Sequence, residues 1–200
     1  MKVLLAGAFG KLGSDILKAL VRDGHTVVAA DLVTRDIPEI QGKYTAKKID
    51  VTKASSLAGL CDDIDAVITT VGLTTTSATT TSYEIDYQGN LNLLREAQRA
   101  GVKKFAYLSV IKAETDETVP MIHAKAMFEE ELKKSGIPYV IYRPTGYFYD
   151  IAKVFMPMIE KGEVTLLGKK DVYANVIDTT DLADFILLHL DEENKSYDIG

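Results

Sequence analysis

Two features near the start of the 200-residue chain have residue types and spacing suited to chemistry. The first is the glycine triplet Gly7, Gly10 and Gly13 in KVLLAGAFGKLGS. At a strand-to-helix turn the three glycines act differently, with tight reversal at Gly7, close approach of backbone to a pyrophosphate at Gly10, and close helix-on-strand packing at Gly13. Free N–H groups at the start of the helix then attract the anion. Glycines also punctuate ordinary turns, so the triplet needs context. The second feature supplies it: Asp31 stands roughly 20 residues on, where a carboxylate accepts hydrogen bonds from a ribose 2′-OH. The same carboxylate repels a 2′-phosphate, which favours NAD, while nearby Arg35 keeps NADP open.

These residues need elements to hold them. Val3 to Ala6 is a short apolar run of the kind buried on both faces of a sheet. From Leu12 the period changes: Leu12, Ile16 and Leu20, with Leu17 and Val21 beside them, give one helical face. Gly24 closes this helix, and His25 to Ala30 reads as a second strand that delivers Asp31 at its end. Ala46 to Ile49 predicts a third strand running into Asp50-Val51-Thr52, with Asp50 facing the ligand edge. Ser55 to Cys61 reads as a short helix and Ala66 to Thr70 as the fourth strand.

Gly72 to Ser82 is dominated by Thr and Ser and reads as a solvated loop. Tyr87, Leu91 and Leu94 mark a long helix ended by Gly101. Phe105 to Ser109 is the fifth strand, Met121 to Ser135 the next helix, and Tyr139 to Tyr142 the sixth strand, leaving Arg143-Pro144-Thr145-Gly146 at its end. Glu129 to Lys134 reads as a solvated helix face. Such alternation predicts an α/β domain with a doubly wound parallel sheet, helices on both faces, and ligands at the carboxyl ends of the strands. Val164 to Leu167, Ala174 to Ile177 and a helix over Leu182 to Leu190 predict a small C-terminal substrate-side region, so that 144–200 caps one domain spanning 1–200.

Composition narrows the partners. A hydrophobic content of 46% over this length suits one globular domain with a substantial core. The net charge of −6, with no run of Lys or Arg, argues against a nucleic-acid face or an anionic-membrane patch and points to a small molecule. The lone Cys61 excludes a disulfide framework and a cysteine-rich zinc site; it reads as a small buried apolar residue, and no metal site is expected. A reducing, cytoplasmic location is expected. The first apolar run is too short for a secretory core, and no stretch is long enough to span a bilayer. A homo-oligomer stays open.

With its motifs in order, GAFGKLG, IDVT, ITTVG, IDYQGNLNLLREA, YLSV, the helix carrying Lys125, and YRPTG, the chain resembles the short-chain dehydrogenase/reductase superfamily in its extended and atypical branches, which include nitrogen-metabolite-regulator-like proteins. The resemblance implies a Rossmann fold and a nicotinamide dinucleotide. It implies contacts from Gly7, Phe9, Gly10, Lys11, Leu12 and Gly13 at the turn, from Asp31 and Leu32, from Asp50 and Val51 beside the adenine, from Thr70, Val71 and Gly72 beside the ribose, and from Lys125 and Pro144. Family members usually continue beyond Gly200, so it further implies a trimmed or naturally short member with part of a substrate cap absent.

The family's catalytic group is a tyrosine made acidic by a lysine, oriented by a serine and connected to solvent through an asparagine. Here Ser109 and Lys125 match the serine and lysine. Met121 stands at the tyrosine position, four residues before Lys125 on one helix face, and Asp86 at the asparagine position. A thioether cannot donate a proton. His123, two residues from Lys125, points to the opposite side of the helix; Tyr147 is a second candidate acid, or else an aromatic that packs the cap. An ammonium has three donors, enough for both nicotinamide ribose hydroxyls, so Lys125 keeps a role in binding. The expected function is an NAD(P)-dependent oxidoreductase on a small carbonyl or enone compound. The alternatives are a non-catalytic dinucleotide-binding regulator or redox sensor, and a nucleotide-sugar epimerase or dehydratase; Met121 counts most against the last, whose redox cycle needs a base at that site.

Overall fold

The computed structural model describes residues 1–73, 80–115, 118–165 and 175–200. Strand β1 (Lys2–Ala6) is inaccessible to solvent from Val3 to Ala6 and breaks at Gly7 into helix α1 (Lys11–Arg22). There follow β2 (Thr26–Asp31), β3 (Tyr44–Lys48), the one-turn α2 (Ala54–Leu57), β4 (Ala66–Thr69), α3 (Asn90–Ala100), β5 (Lys104–Leu108), α4 (Pro120–Lys134) and β6 (Tyr139–Pro144). The chain ends with β7 (Gly146–Tyr147), α5 (Phe148–Glu160), β8 (Val176–Ile177), α6 (Thr179–Leu188) and β9 (Lys195–Ile199).

Seven strands form one sheet in the order β3-β2-β1-β4-β5-β6-β9, and every pairing in it is parallel. This is a Rossmann-like sheet. From β1 the chain winds outward first through β2 and β3, then returns to β4 and winds the other way, so a crevice opens at the carboxyl ends of β1 and β4. Alternate residues of β1 feed two core layers: Val3 and Leu5 pack with Ile16, Leu20 and Ile186 on one face, Leu4 and Ala6 with Leu94, Phe105 and Phe128 on the other. Each of these Val, Leu, Ile and Phe side chains, fully buried, contributes about 1.5–3 kcal/mol. The lone Cys61 is buried among them, and burial pushes its thiol up to about 12.

The structure moves several boundaries. The third strand starts earlier, at Tyr44, and is an exposed edge whose Lys47 and Lys48 keep it charged. Helix α2 stops at Leu57 because Gly59 follows with φ +75°. Helix α6 begins at Thr179, ahead of Leu182, because the Asp178 side chain caps it by accepting from the Thr180 N–H at 2.8 Å. The region after 144 divides: α6 packs on α1 and β9 joins the main sheet beside β6, while the parallel pair β7–β8 and α5 stand apart from it. No strand forms at Val164 and Thr165; residues 166–167 and Ala174 of the expected strands, and 74–79 of the Thr/Ser loop, lie outside the described residues. Glu129 is not solvated: it is 1% exposed and holds the Arg143 guanidinium through both carboxylate oxygens. Among the described residues no helix is long and apolar enough to cross a membrane.

Candidate functional site

A cleft of about 620 Å³ opens along the carboxyl ends of β1, β2, β4, β5 and β6. Its size suits a small-molecule site. It is lined by the turn from Gly7 to Gly13 apart from Ala8, then by Asp31, Leu32, Asp50, Val51, Thr70, Val71, Gly72, Ser109, Lys125 and Pro144, the residues expected to bind the dinucleotide or to serve as the serine and lysine of the site.

The glycines divide their work as the geometry requires. Gly7 adopts φ +79°, and a Cβ there would lie 2.5 Å from the Thr70 hydroxyl. A Cβ on Gly13 would lie 2.0 Å from the Gly7 carbonyl oxygen, so only glycine lets α1 seat against the turn. At Gly10 the nearest protein atom to such a carbon is 3.5 Å away. The protein leaves that space free, as a backbone surface for a pyrophosphate demands. No side chain caps the N-terminus of α1, so its first N–H groups face the cleft for an anion. Lys11 leans on Asp15 at 2.8 Å, and Asp15 also accepts the Thr179 hydroxyl at 2.6 Å, which ties the turn to α6.

At the β2 end, the Asp31 carboxylate accepts the Phe9 N–H at 2.9 Å and the Leu32 N–H at 2.7 Å. Both oxygens are thus oriented by backbone, with lone pairs left for a ribose. Asp50 accepts from Thr52 and pairs with Lys53 at 2.8 Å, and Lys53 holds its carboxyl below the usual range.

At the β5 and β6 end the residues come from three elements. Ser109 follows β5, and its hydroxyl is buried with no hydrogen-bond partner among the described residues. Lys125 projects from α4; its Nζ donates to the Leu108 carbonyl at 3.2 Å, lies 3.1 Å from Asp86 and sits 5.4 Å from the Tyr107 ring centroid. Only the Leu108 contact has hydrogen-bond geometry; the Asp86 oxygen nearest Nζ has no hydrogen-bond partner among the described residues, so that contact is an ion pair and two of the three ammonium donors remain for the ribose hydroxyls. Met121 lines the cleft one turn before Lys125, and His123 is exposed and outside the lining. Tyr147 lines the cleft with its ring stacked on Tyr149 at 5.8 Å; burial first, then Tyr149 and Asp150, pushes its phenol above the ordinary value.

Sequence reasoning left out Val33, Leu73, Ile85, Val110, Thr145 and Tyr149, all of which line the cleft. The signal for Val110 and Thr145 was position, one residue beyond Ser109 and Pro144 at strand ends. Asp86 lay in plain view as the asparagine replacement, but its contact with Lys125 requires the π-wound turn over Tyr83–Gly89 that precedes α3.

A glycine turn under a helix N-terminus, an acidic residue ending β2, and a crevice at the sheet's reversal point define a Rossmann-type dinucleotide-binding domain. A family profile described as NAD(P)H-binding matches residues 7–193, and the chain belongs to that NAD(P)H-binding family. It is 29% identical over 188 residues to the Photosystem II assembly factor Ycf39 of Synechocystis sp., a match covering 92% of this chain and 57% of that protein. The chain thus spans less than two thirds of the length of the assembly-factor relatives it matches. It is 27% identical to a protein described as an uncharacterized sugar epimerase, YhfK, of Bacillus subtilis, over 100% of this chain and 94% of that one. The UDP-glucose 4-epimerase of Thermus thermophilus, solved in complex with NAD, shares the fold with a TM-score of 0.83 at 20% identity, over 100% of this chain and 78% of that one.

Proposed function

We propose that the chain binds one nicotinamide dinucleotide across the cleft and acts as an oxidoreductase on a small carbonyl or enone compound. The α1 N-terminus and the Gly7–Gly13 turn hold the pyrophosphate, Asp31 the adenosine ribose, Asp50 and Val51 the adenine side, and Thr70 to Gly72 with Lys125 the nicotinamide ribose. The residues fit this group: Gly10 leaves the space a pyrophosphate needs, and the helix start is uncapped. A bound nicotinamide supplies or accepts the hydride.

The observation that carries the oxidoreductase reading is the buried, unpartnered hydroxyl of Ser109 at the end of β5, lining the same cleft as Lys125. A buried hydroxyl without a partner costs about 1–3 kcal/mol, and a substrate oxygen accepting from it removes that cost. Ser109 then orients the carbonyl, Tyr147 walls the substrate side with the β7–β8 pair, and Met121 gives no proton. The proton comes from water or from Tyr147, whose burial keeps it protonated.

A second reading, a dinucleotide-loaded regulator without turnover, is favoured by Met121 and by the pairing of Lys125 with Asp86. Fluorescence titration with NADH and NADPH, followed by turnover on a panel of carbonyls and enones, separates the two. Saturable binding with turnover supports the oxidoreductase; binding without turnover on any member supports the regulator; no binding of either dinucleotide removes both.

A further inference from the structure

We propose that Asp86 is a positioning residue that compensates the charge of Lys125, so that the ammonium is fixed in the cleft without acting on a neighbouring acid. The pair is enclosed. Asp86 is fully buried, one carboxylate oxygen lies 3.1 Å from Lys125 Nζ, and the other accepts the Leu73 N–H at 3.2 Å. Its backbone carbonyl is held by the Asn90 amide at 3.0 Å. Gly72 closes over both: a Cβ there would lie 2.8 Å from the Asp86 oxygen and 3.2 Å from Nζ. An amide at position 86 would accept a hydrogen bond without bringing a charge; a carboxylate brings a full one.

The electrostatic consequence is direct. A lone ammonium one helical turn from position 121 would stabilise a phenolate there and depress the phenol by about 1–3 units. With a carboxylate at ion-pair distance, the two fields largely cancel beyond the pair, because opposite charges so close present a dipole rather than a net charge. The absence of a lysine-activated acid at this position has two sources, the missing phenol at Met121 and the cancelled charge behind it. The inference rests on the dinucleotide reading of the cleft only for what Lys125 holds.

The test needs no cofactor. In Met121→Tyr, and in Met121→Tyr with Asp86→Asn, the introduced phenol is titrated by ultraviolet difference absorbance against the matching parent with Met121 intact. The other charged groups nearby are common to both variants: the Glu129–Arg143 pair one turn along α4, exposed His123, Asp150 beside Tyr149, and Lys11, Asp31, Arg35 and Asp50 on the β1–β3 side. The phenol should titrate at or above the ordinary tyrosine value, about 10, with Asp86 present and at least about one unit lower with Asn. A phenol already depressed by a unit with Asp86 present, or unmoved by Asp86→Asn, overturns the proposal. Should Asp86→Asn fail to fold, Met121→Tyr with Lys125→Met serves: the uncompensated carboxylate should raise the phenol above the single variant, and no rise overturns the proposal. NADH fluorescence titration of Asp86→Asn and its parent is scored separately, so loss of the dinucleotide reading and loss of the charge-compensation reading are distinguishable.

Discussion

Adding carbon at Gly13 and at Gly10, three residues apart, should have opposite consequences. At Gly13 the added carbon meets the Gly7 carbonyl, so Gly13→Ala should lower stability by about 1–3 kcal/mol, read in urea unfolding. At Gly10 the protein offers room, so Gly10→Val should keep its melting temperature and lose NADH affinity in fluorescence titration. A folded Gly10→Val with unchanged affinity would remove the pyrophosphate from this turn. Asp31 makes a second contrast: a 2′-phosphate about 4 Å from its carboxylate meets repulsion of up to about 4 kcal/mol at a surface-like dielectric. NADH should bind more tightly than NADPH at equal salt, and Asp31→Ser should narrow the gap, with Arg35 in the cleft to receive the phosphate; calorimetry on both variants checks it. These glycines and Asp31 were legible in the sequence because backbone geometry dictates their type. The pairing of Asp86 with Lys125 was not, since a carboxylate's partner across the fold leaves no periodic trace.

Helix α4 carries Met121 and Lys125, and its placement depends on the Glu129 carboxylate gripping Arg143 at the end of β6. Removing one member of a buried pair leaves the other charge uncompensated, so Glu129→Ala should cost about 3–5 kcal/mol in urea unfolding. In the sequence Glu129 looked like one more charge on a solvated face, because its partner lies on another element. Helix α5 was missed although Phe148, Ile151, Phe155 and Met158 recur at helical spacing; Pro157 interrupts that pattern, and none of its residues is buried. Helix α3 sets a pH dependence. Arg99 first, then the Cys61 N–H, holds the buried Glu96 carboxyl below its usual range. A depressed carboxyl contributes stability above its unfolded value and loses it as pH falls through the folded one. Glu96→Gln should therefore be less stable than wild type near pH 7, with the difference shrinking by about pH 3 in urea titrations at both.

Over the whole molecule the alternation of strand and helix was enough to read a parallel sheet with a ligand edge, since each crossover admits one handedness. It did not reveal β9, whose sequence KSYDI has little apolar weight and gains its place by pairing with β6. Because the cleft draws on most of the sheet, NADH at about 100 times its dissociation constant should stabilise the fold by about 2.7 kcal/mol and raise the melting temperature by roughly 5–10 °C; no shift would place the ligand elsewhere. The sheet's parallel order also reaches back to synthesis. The Thr145 N–H, on the cleft wall, is held by the Ile199 carbonyl at 2.9 Å, and Asp15 beneath the glycine turn takes the Thr179 hydroxyl. Neither bond is available to a nascent chain on the ribosome until these last residues clear the exit tunnel. Until then β6 is an open edge, and the cleft, though lined mostly by residues before position 100, is completed only once residues 179–199 have been translated.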